Sequence, residues 1–252
     1  MKNAIVTGAG RNKGIGAEIC RTLAQKGVNI FFTSYKDYDS NSLNIGNDEY
    51  KQTIIECENL GVKCFFQSYD LSKEKSIQDL FTDAIVKLGN IDILVNCACF
   101  HEYDSIENLT SKLLDENYYL NVRATTLLCK GFLSNYSSEN VRIVLLSSMQ
   151  NKEPLTSEIA YAITKAATPI LAMTLATTLA LKGITINAVN PGPTEIGLLA
   201  PNNKNYIKNN PFRKLGTPQD TANIISFLVS DEGKWITGQT INSDGGLFCN
   251  NN

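Results

Sequence analysis

Histidine is almost missing from this 252-residue chain: there is one, His101, beside a single tryptophan and three methionines. That scarcity weighs against a metal centre. Cys97, Cys99 and His101 alternate, which on an extended segment puts them on one face. No second Cys/His group lies near in sequence, however, and three successive same-face ligands do not surround an ion, so no metal is expected. Charge of one sign is missing too. With a net charge of −2 and scattered lysines, the chain offers no field for nucleic acid or an anionic membrane. No apolar run reads as long enough to span a bilayer, and Met1-Lys2-Asn3 leads into an apolar run without a signal-peptide pattern, so a cytoplasmic protein is expected. Seven dispersed cysteines, an odd number, point to reduced and mostly buried thiols instead of a disulfide framework. No linker, composition shift or internal repeat divides the sequence, and the expectation is one domain over residues 1–252.

What is present starts at Thr7-Gly8-Ala9-Gly10-Arg11-Asn12-Lys13-Gly14-Ile15-Gly16, between the apolar run Ala4-Ile5-Val6 and the helical pattern from Ala17. Strand, glycine loop and helix follow one another. Free N–H groups at the start of the helix face whatever sits in the turn, and a pyrophosphate is the usual occupant. The alternative is a tight turn that binds nothing.

Further runs of strand type cover residues 28–34, 62–67, 91–96, 141–147, 184–190 and 239–242. Helical periodicity fills most gaps: about 48–60, 72–88 with Ser72 as N-cap, 110–136, 157–182, and 218–227 behind Thr217-Pro218. Residues 35–47, polar and rich in Asn, Ser and Asp, read as a loop, and 194–212 as an irregular cover over a pocket. Strands alternating with helices predict an α/β fold, a doubly wound parallel sheet with helices on both faces. Ligands in such a sheet bind at the carboxyl ends of the strands, near the switch point between the first and the fourth.

Tyr161 and Lys165 stand four apart in a predicted helix and so share a face. A phenol with a reference pKa near 10 needs help to exchange protons at neutral pH, and an ammonium one turn away would lower it. Such a tyrosine gives a proton to a carbonyl oxygen as hydride arrives, or takes one from an alcohol. Pro169 in the same helix cannot donate to the Lys165 carbonyl and predicts a kink costing roughly 3 kcal/mol.

On these residues the chain resembles the short-chain dehydrogenase/reductase family from Thr7 to Gly246, which implies a single-domain Rossmann fold. Thr7, Gly8, Gly14, Ile15 and Gly16 match the family's glycine loop, here two residues longer. The resemblance implies a catalytic set of Asn121, Ser148, Tyr161 and Lys165; Ser148 precedes Tyr161 by thirteen residues (161 − 148 = 13), which favours it over Ser147. It implies that Ser148 donates to the substrate oxygen, that Lys165 holds the nicotinamide ribose, and that Asn121 anchors a water through its backbone. Asp70 and Leu71 match the adenine contact, Asn96 and Ala98 the segment after the fourth strand, and Pro191, Gly192 and Thr194 the segment that orients the carboxamide. Cys99 stands where the family has a glycine.

Cofactor choice follows from charge at the end of the second strand. The position that carries a carboxylate in NAD enzymes is Ser34 here, followed by Tyr35 and Lys36, and Arg11 lies in the glycine loop. A 2′-phosphate suits Arg11 and Lys36, so NADP(H) is favoured over NAD(H), with Asp37 and Asp39 as opposing charges. The resemblance implies an NADP-dependent ketone reductase like the 3-oxoacyl-carrier-protein reductases, acting on a small or carrier-bound substrate. Alternatives are a dehydrogenase of a polyol, steroid or other secondary alcohol, and a non-catalytic NADP-sensing regulator. An enoyl reductase fits less well, since its tyrosine and lysine stand seven apart and Glu158 takes the place of that tyrosine. His101, Met149, Gln150, Leu155 and the segment 194–212 are expected around the substrate. The family's helices at 110–136 and 157–182 imply a homodimer, and its C-terminal strand a homotetramer.

Overall fold

The computed structural model describes residues 1–42, 46, 48–136, 140–148, 155–197 and 203–249. Seven strands form one sheet: β1 (Asn3–Thr7), β2 (Asn29–Ser34), β3 (Cys64–Ser68), β4 (Ile93–Asn96), β5 (Arg142–Leu146), β6 (Thr185–Asn190) and β7 (Thr240–Asn242). All pairs are parallel, in the order β3-β2-β1-β4-β5-β6-β7, so the direction of winding reverses between β1 and β4. The strands are nearly continuous in apolar residues because both faces are covered. Ile5, Phe31, Leu94 and Ile143 point into one core layer, Ala4, Val6, Ile30 and Val144 into the other.

The first layer is closed by α4 (Glu74–Leu88), α6 (Thr125–Asn135) and α8 (Ala167–Ala180), the second by α1 (Ile15–Gln25), α3 (Tyr50–Asn59) and α10 (Pro218–Leu228). Fully buried Phe132 on α6 meets Phe81 on α4 at 6.4 Å between ring centroids. α10 starts as the sequence predicts: Thr217 caps it, Pro218 is its first residue, and Thr217 and Asp220 form a reciprocal capping box.

Four readings change. Ser72 is not an N-cap: α4 begins after Lys73, and the Ser72 hydroxyl donates to Asp70 Oδ1 at 2.6 Å. The supposed loop 35–47 contains α2 (Lys36–Ser42), with Asp37 and Asp39 in its first turn, where carboxylates favour the positive end of the helix dipole. The long helix at 110–136 is three pieces: α5 (Ser111–Asn117), a π-helical segment Tyr118–Ala124, and α6. Finally, Ile159–Ala180 does satisfy the length and apolarity of a bilayer span, at mean hydropathy 1.4 over its best window. It is divided into α7 (Ile159–Lys165) and α8, with a turn at Ala166 three residues before Pro169. α8 packs on β5 and β6 through buried Ala172, Ala176 and Leu179.

The remaining helix, α9 (Asn203–Asn209), lies in the expected cover segment, of which residues 198–202 fall outside the described residues.

Candidate active site

A cleft of about 480 Å³ opens at the carboxyl ends of β1, β2, β4 and β5. Its floor is the glycine loop. Gly8 sits at φ +69°, and a Cβ there would stand 2.6 Å from the Ala98 amide nitrogen. A Cβ on Gly10 would stand 2.3 Å from Ser34 Oγ. The loop therefore stays bare of side chains where the cleft is deepest. Gly14 precedes α1 without a side-chain cap, leaving the first N–H groups of the helix for a ligand. This bare cradle, at the head of a helix and in a cleft of dinucleotide dimensions, fits a pyrophosphate-bearing cofactor.

Of the residues matched to cofactor binding, Gly8, Arg11, Gly14, Ile15 and Gly16 line the cleft, as do Ser34, Tyr35, Asp70 and Leu71 on one side and Ala98, Tyr161, Lys165 and Pro191 on the other. Asn96, Gly192 and Thr194 are not among the residues that line it. Asn96 accepts from the Thr7 hydroxyl and donates to Thr125 Oγ1 at 3.0 Å, so its side chain ties β1 to α6. The Thr194 hydroxyl donates to the Gly192 carbonyl at 3.1 Å, and a Cβ on Gly192 would stand 2.7 Å from Asp244 Cβ.

Tyr161 is on α7, and the Ser148 hydroxyl at the end of β5 hydrogen-bonds its phenol. Loss of water around the phenol pushes its pKa well up, and the nearby Cys99 thiol and Glu158 carboxylate push the same way. The expected lowering by Lys165 is not what the geometry gives. The Lys165 ammonium donates to the Leu146 carbonyl at the end of β5, and burial lowers its own pKa. Tyr161 is thus held as the neutral phenol, the form that gives a proton.

Asn121, in the π-helical segment, is 1% exposed and lies outside the cleft wall. Its Oδ1 accepts from Phe100 N at 2.8 Å, and its Nδ2 donates to Phe100 O at 3.0 Å, Asn117 Oδ1 at 3.1 Å and Thr164 Oγ1 at 3.0 Å. The side chain therefore clamps the 97–100 loop to α7. Cys97 and Cys99 line the cleft on irregular backbone after β4, so the alternation that suggested one strand face does not apply.

At the other end of the cleft, the Arg11 guanidinium donates to the Ile196 carbonyl. Lys36, expected nearby, instead lies 4.5 Å from the centroid of the Tyr50 ring and does not line the cleft. In its place α2 sends in Tyr38 and Asp39, residues that a loop reading had no reason to direct inward. Burial pushes the Asp39 carboxyl up, against a hydrogen bond from Ser34 and the charge of Arg11. Ser147 was also passed over: it is 3% exposed, lines the cleft, and its hydroxyl has no partner among the described residues. Met149 and Gln150 lie outside the described residues.

Residues 8–248 match the family model described as enoyl-(acyl carrier protein) reductase. The chain is 39% identical over 251 residues to the uncharacterized oxidoreductase YjdA of Bacillus subtilis (strain 168), covering 98% of this chain and 97% of that one. It is 28% identical over 252 residues to a 3-oxoacyl-[acyl-carrier-protein] reductase FabG of Staphylococcus epidermidis, covering 98% and 99%. A crystal structure of a short chain dehydrogenase from Burkholderia cenocepacia J2315 in complex with NADP is similar with a TM-score of 0.88 at 28% identity, covering 98% of this chain and 97% of the other.

Proposed function

The chain belongs to the short-chain dehydrogenase/reductase family, and from that premise we propose that it is an NADP(H)-dependent reductase of a ketone, of the 3-oxoacyl type. The observation that carries the reading is Tyr161, held protonated and bonded by Ser148 beside a cleft with a glycine floor. When bound, a nicotinamide cofactor would supply the hydride. Gly8, Gly14, Ile15 and Gly16 would hold its pyrophosphate. Asp70, Leu71, Ala98, Pro191 and Lys165 line the part of the cleft that would take the rest of it. Tyr161 gives its proton to the ketone oxygen, and Ser148 donates a hydrogen bond where negative charge gathers on that oxygen. Asn121 keeps the 97–100 loop and α7 in register.

NADP(H) is preferred over NAD(H) because Arg11 lines the cleft within charge range of Asp39, and the β2 terminus offers a serine hydroxyl, not a carboxylate. The similar B. cenocepacia structure is a complex with NADP. Asp39 is the opposing group. The single domain assembles as a homodimer through the outer face of α7 and α8, where Ile163, Ile170 and Met173 are each more than half exposed. Loss of the NADPH absorbance band against a panel of ketones, with 3-oxoacyl esters among them, tests the reading. Consumption of NADPH with a 3-oxo ester supports it; none with any ketone, or a strong preference for NADH, contradicts it.

A further inference from the structure

His101 is the chain's only imidazole, and the fold brings it to Tyr161. The two rings meet edge to face, with centroids 4.8 Å apart and planes at 89°. Tyr103 also meets the imidazole edge to face, at 5.0 Å and 82°. Its Nε2 lies 3.2 Å from Oε2 of Glu158, the residue that opens α7. The backbone of His101 is pinned from α2: the Tyr38 hydroxyl donates to His101 O at 3.0 Å and accepts from His101 N at 3.3 Å. The imidazole thus has a fixed place between Glu158 and the phenol.

We propose that His101 is a positioning residue for Tyr161, and that its protonation pairs Glu158 and turns a positive charge onto the tyrosine, making Tyr161 a readier proton donor. This rests on Tyr161 being the proton donor of the reduction. Glu158 helps to hold the phenol proton. A charged imidazole cancels that influence, and a cation against the tyrosine ring is favourable in itself. Imidazoles change charge between about pH 5 and 8, the range in which such a pair responds. Among the described residues, the ring contacts Glu158 and Tyr161 from α7 and Tyr103 from its own loop, with the Tyr38 hydroxyl of α2 on its backbone; Cys99, Glu102 and Asp104 are titratable neighbours in the chain. The Asp104 carboxylate is occupied by the Ile159 and Ala160 amides, which leaves Glu158 as the carboxylate in contact.

One histidine makes the test clean, because the imidazole C2 proton gives a single NMR line. That line is titrated in the wild type and in Glu158→Gln, and kcat for ethyl acetoacetate reduction by NADPH is followed from about pH 8 to about pH 5.5. The expected results are a rise in wild-type kcat, on the order of tenfold, with its inflection at the imidazole midpoint, and a smaller rise in Glu158→Gln, whose phenol has lost the opposing carboxylate. The inflection disappears in His101→Gln, and His101→Arg, charged throughout, is flat. A rise undiminished in Glu158→Gln, or an inflection that survives in His101→Gln, overturns the proposal. Failure of the underlying reading looks different: Tyr161→Phe would then keep the parent rate at every pH.

Discussion

Asp104 holds the start of the helix that carries Tyr161, and its removal has a calculable cost. The residue is 4% exposed; Oδ1 accepts from Ile159 N at 2.5 Å, Oδ2 accepts from Ala160 N at 2.9 Å, and its own N–H donates to Ser157 O at 2.9 Å. Glu158, at the N-cap position, gives α7 no side-chain cap, so these N–H groups depend on a carboxylate from another loop. Asp104→Ala leaves both without an acceptor, at about 1–2 kcal/mol each, or about 2–4 kcal/mol together. With a urea slope of about 3 kcal/mol/M, the unfolding midpoint falls by about 1 M. Asp104→Asn keeps one acceptor oxygen and should lose about half as much. Because Tyr161 is the third residue of α7, a displaced helix start also lowers kcat, and a misplacement of about 1 Å is worth about a hundredfold. Urea unfolding followed by circular dichroism, with kcat measured on the same samples, gives both numbers. A loss under about 0.5 kcal/mol in Asp104→Ala, or equal losses in the two variants, refutes the reasoning.

Four other substitutions probe the cleft. Gly10→Ala drives a methyl group to 2.3 Å from Ser34 Oγ, and NADPH affinity measured by fluorescence titration should fall by about tenfold or more; unchanged binding removes Gly10 from the cradle. Asp39→Asn acts on stability and on cofactor choice. Burial raises the carboxyl's folded-state pKa, so the wild type loses stability as pH rises through the carboxylate range. The variant should therefore melt higher at pH 7, and the difference should vanish near about pH 3. Its kcat/KM ratio for NADPH over NADH should also rise, and a fall in either quantity contradicts the assignment. Ser148→Ala should lower kcat by about 10²–10³, whereas Ser147→Ala, which removes a hydroxyl without a partner among the described residues, should stay within about threefold; the reverse ranking would reassign the hydroxyl.

Much of this was legible because it is local. Strands covered on both faces read as apolar runs between glycine stops, and the glycine loop and the Tyr161–Lys165 pair are spacings within one element. What failed to show depends on distant partners. α2 looked like a loop because Asn, Ser and Asp dominate it; its Tyr38 ring packs 5.4 Å from Phe100, a partner supplied by the chain after β4. The π-helical segment carries Asn121, whose bonds to Phe100 and Thr164 are contacts that no periodicity contains. The directions of Lys36 and Lys165 differ from the sequence reading for the same reason: each is set by an acceptor or ring on another element. Asp104 left no signal at all, being one acid in a polar run.

The central claim is that Tyr161 delivers the proton. A Tyr161→Phe protein, shown by fluorescence titration to bind NADPH as the parent does, is compared with it in turnover of a ketone that the parent reduces. The account predicts a loss of about 10²–10⁴ in kcat. A rate within a few-fold of the parent would contradict it.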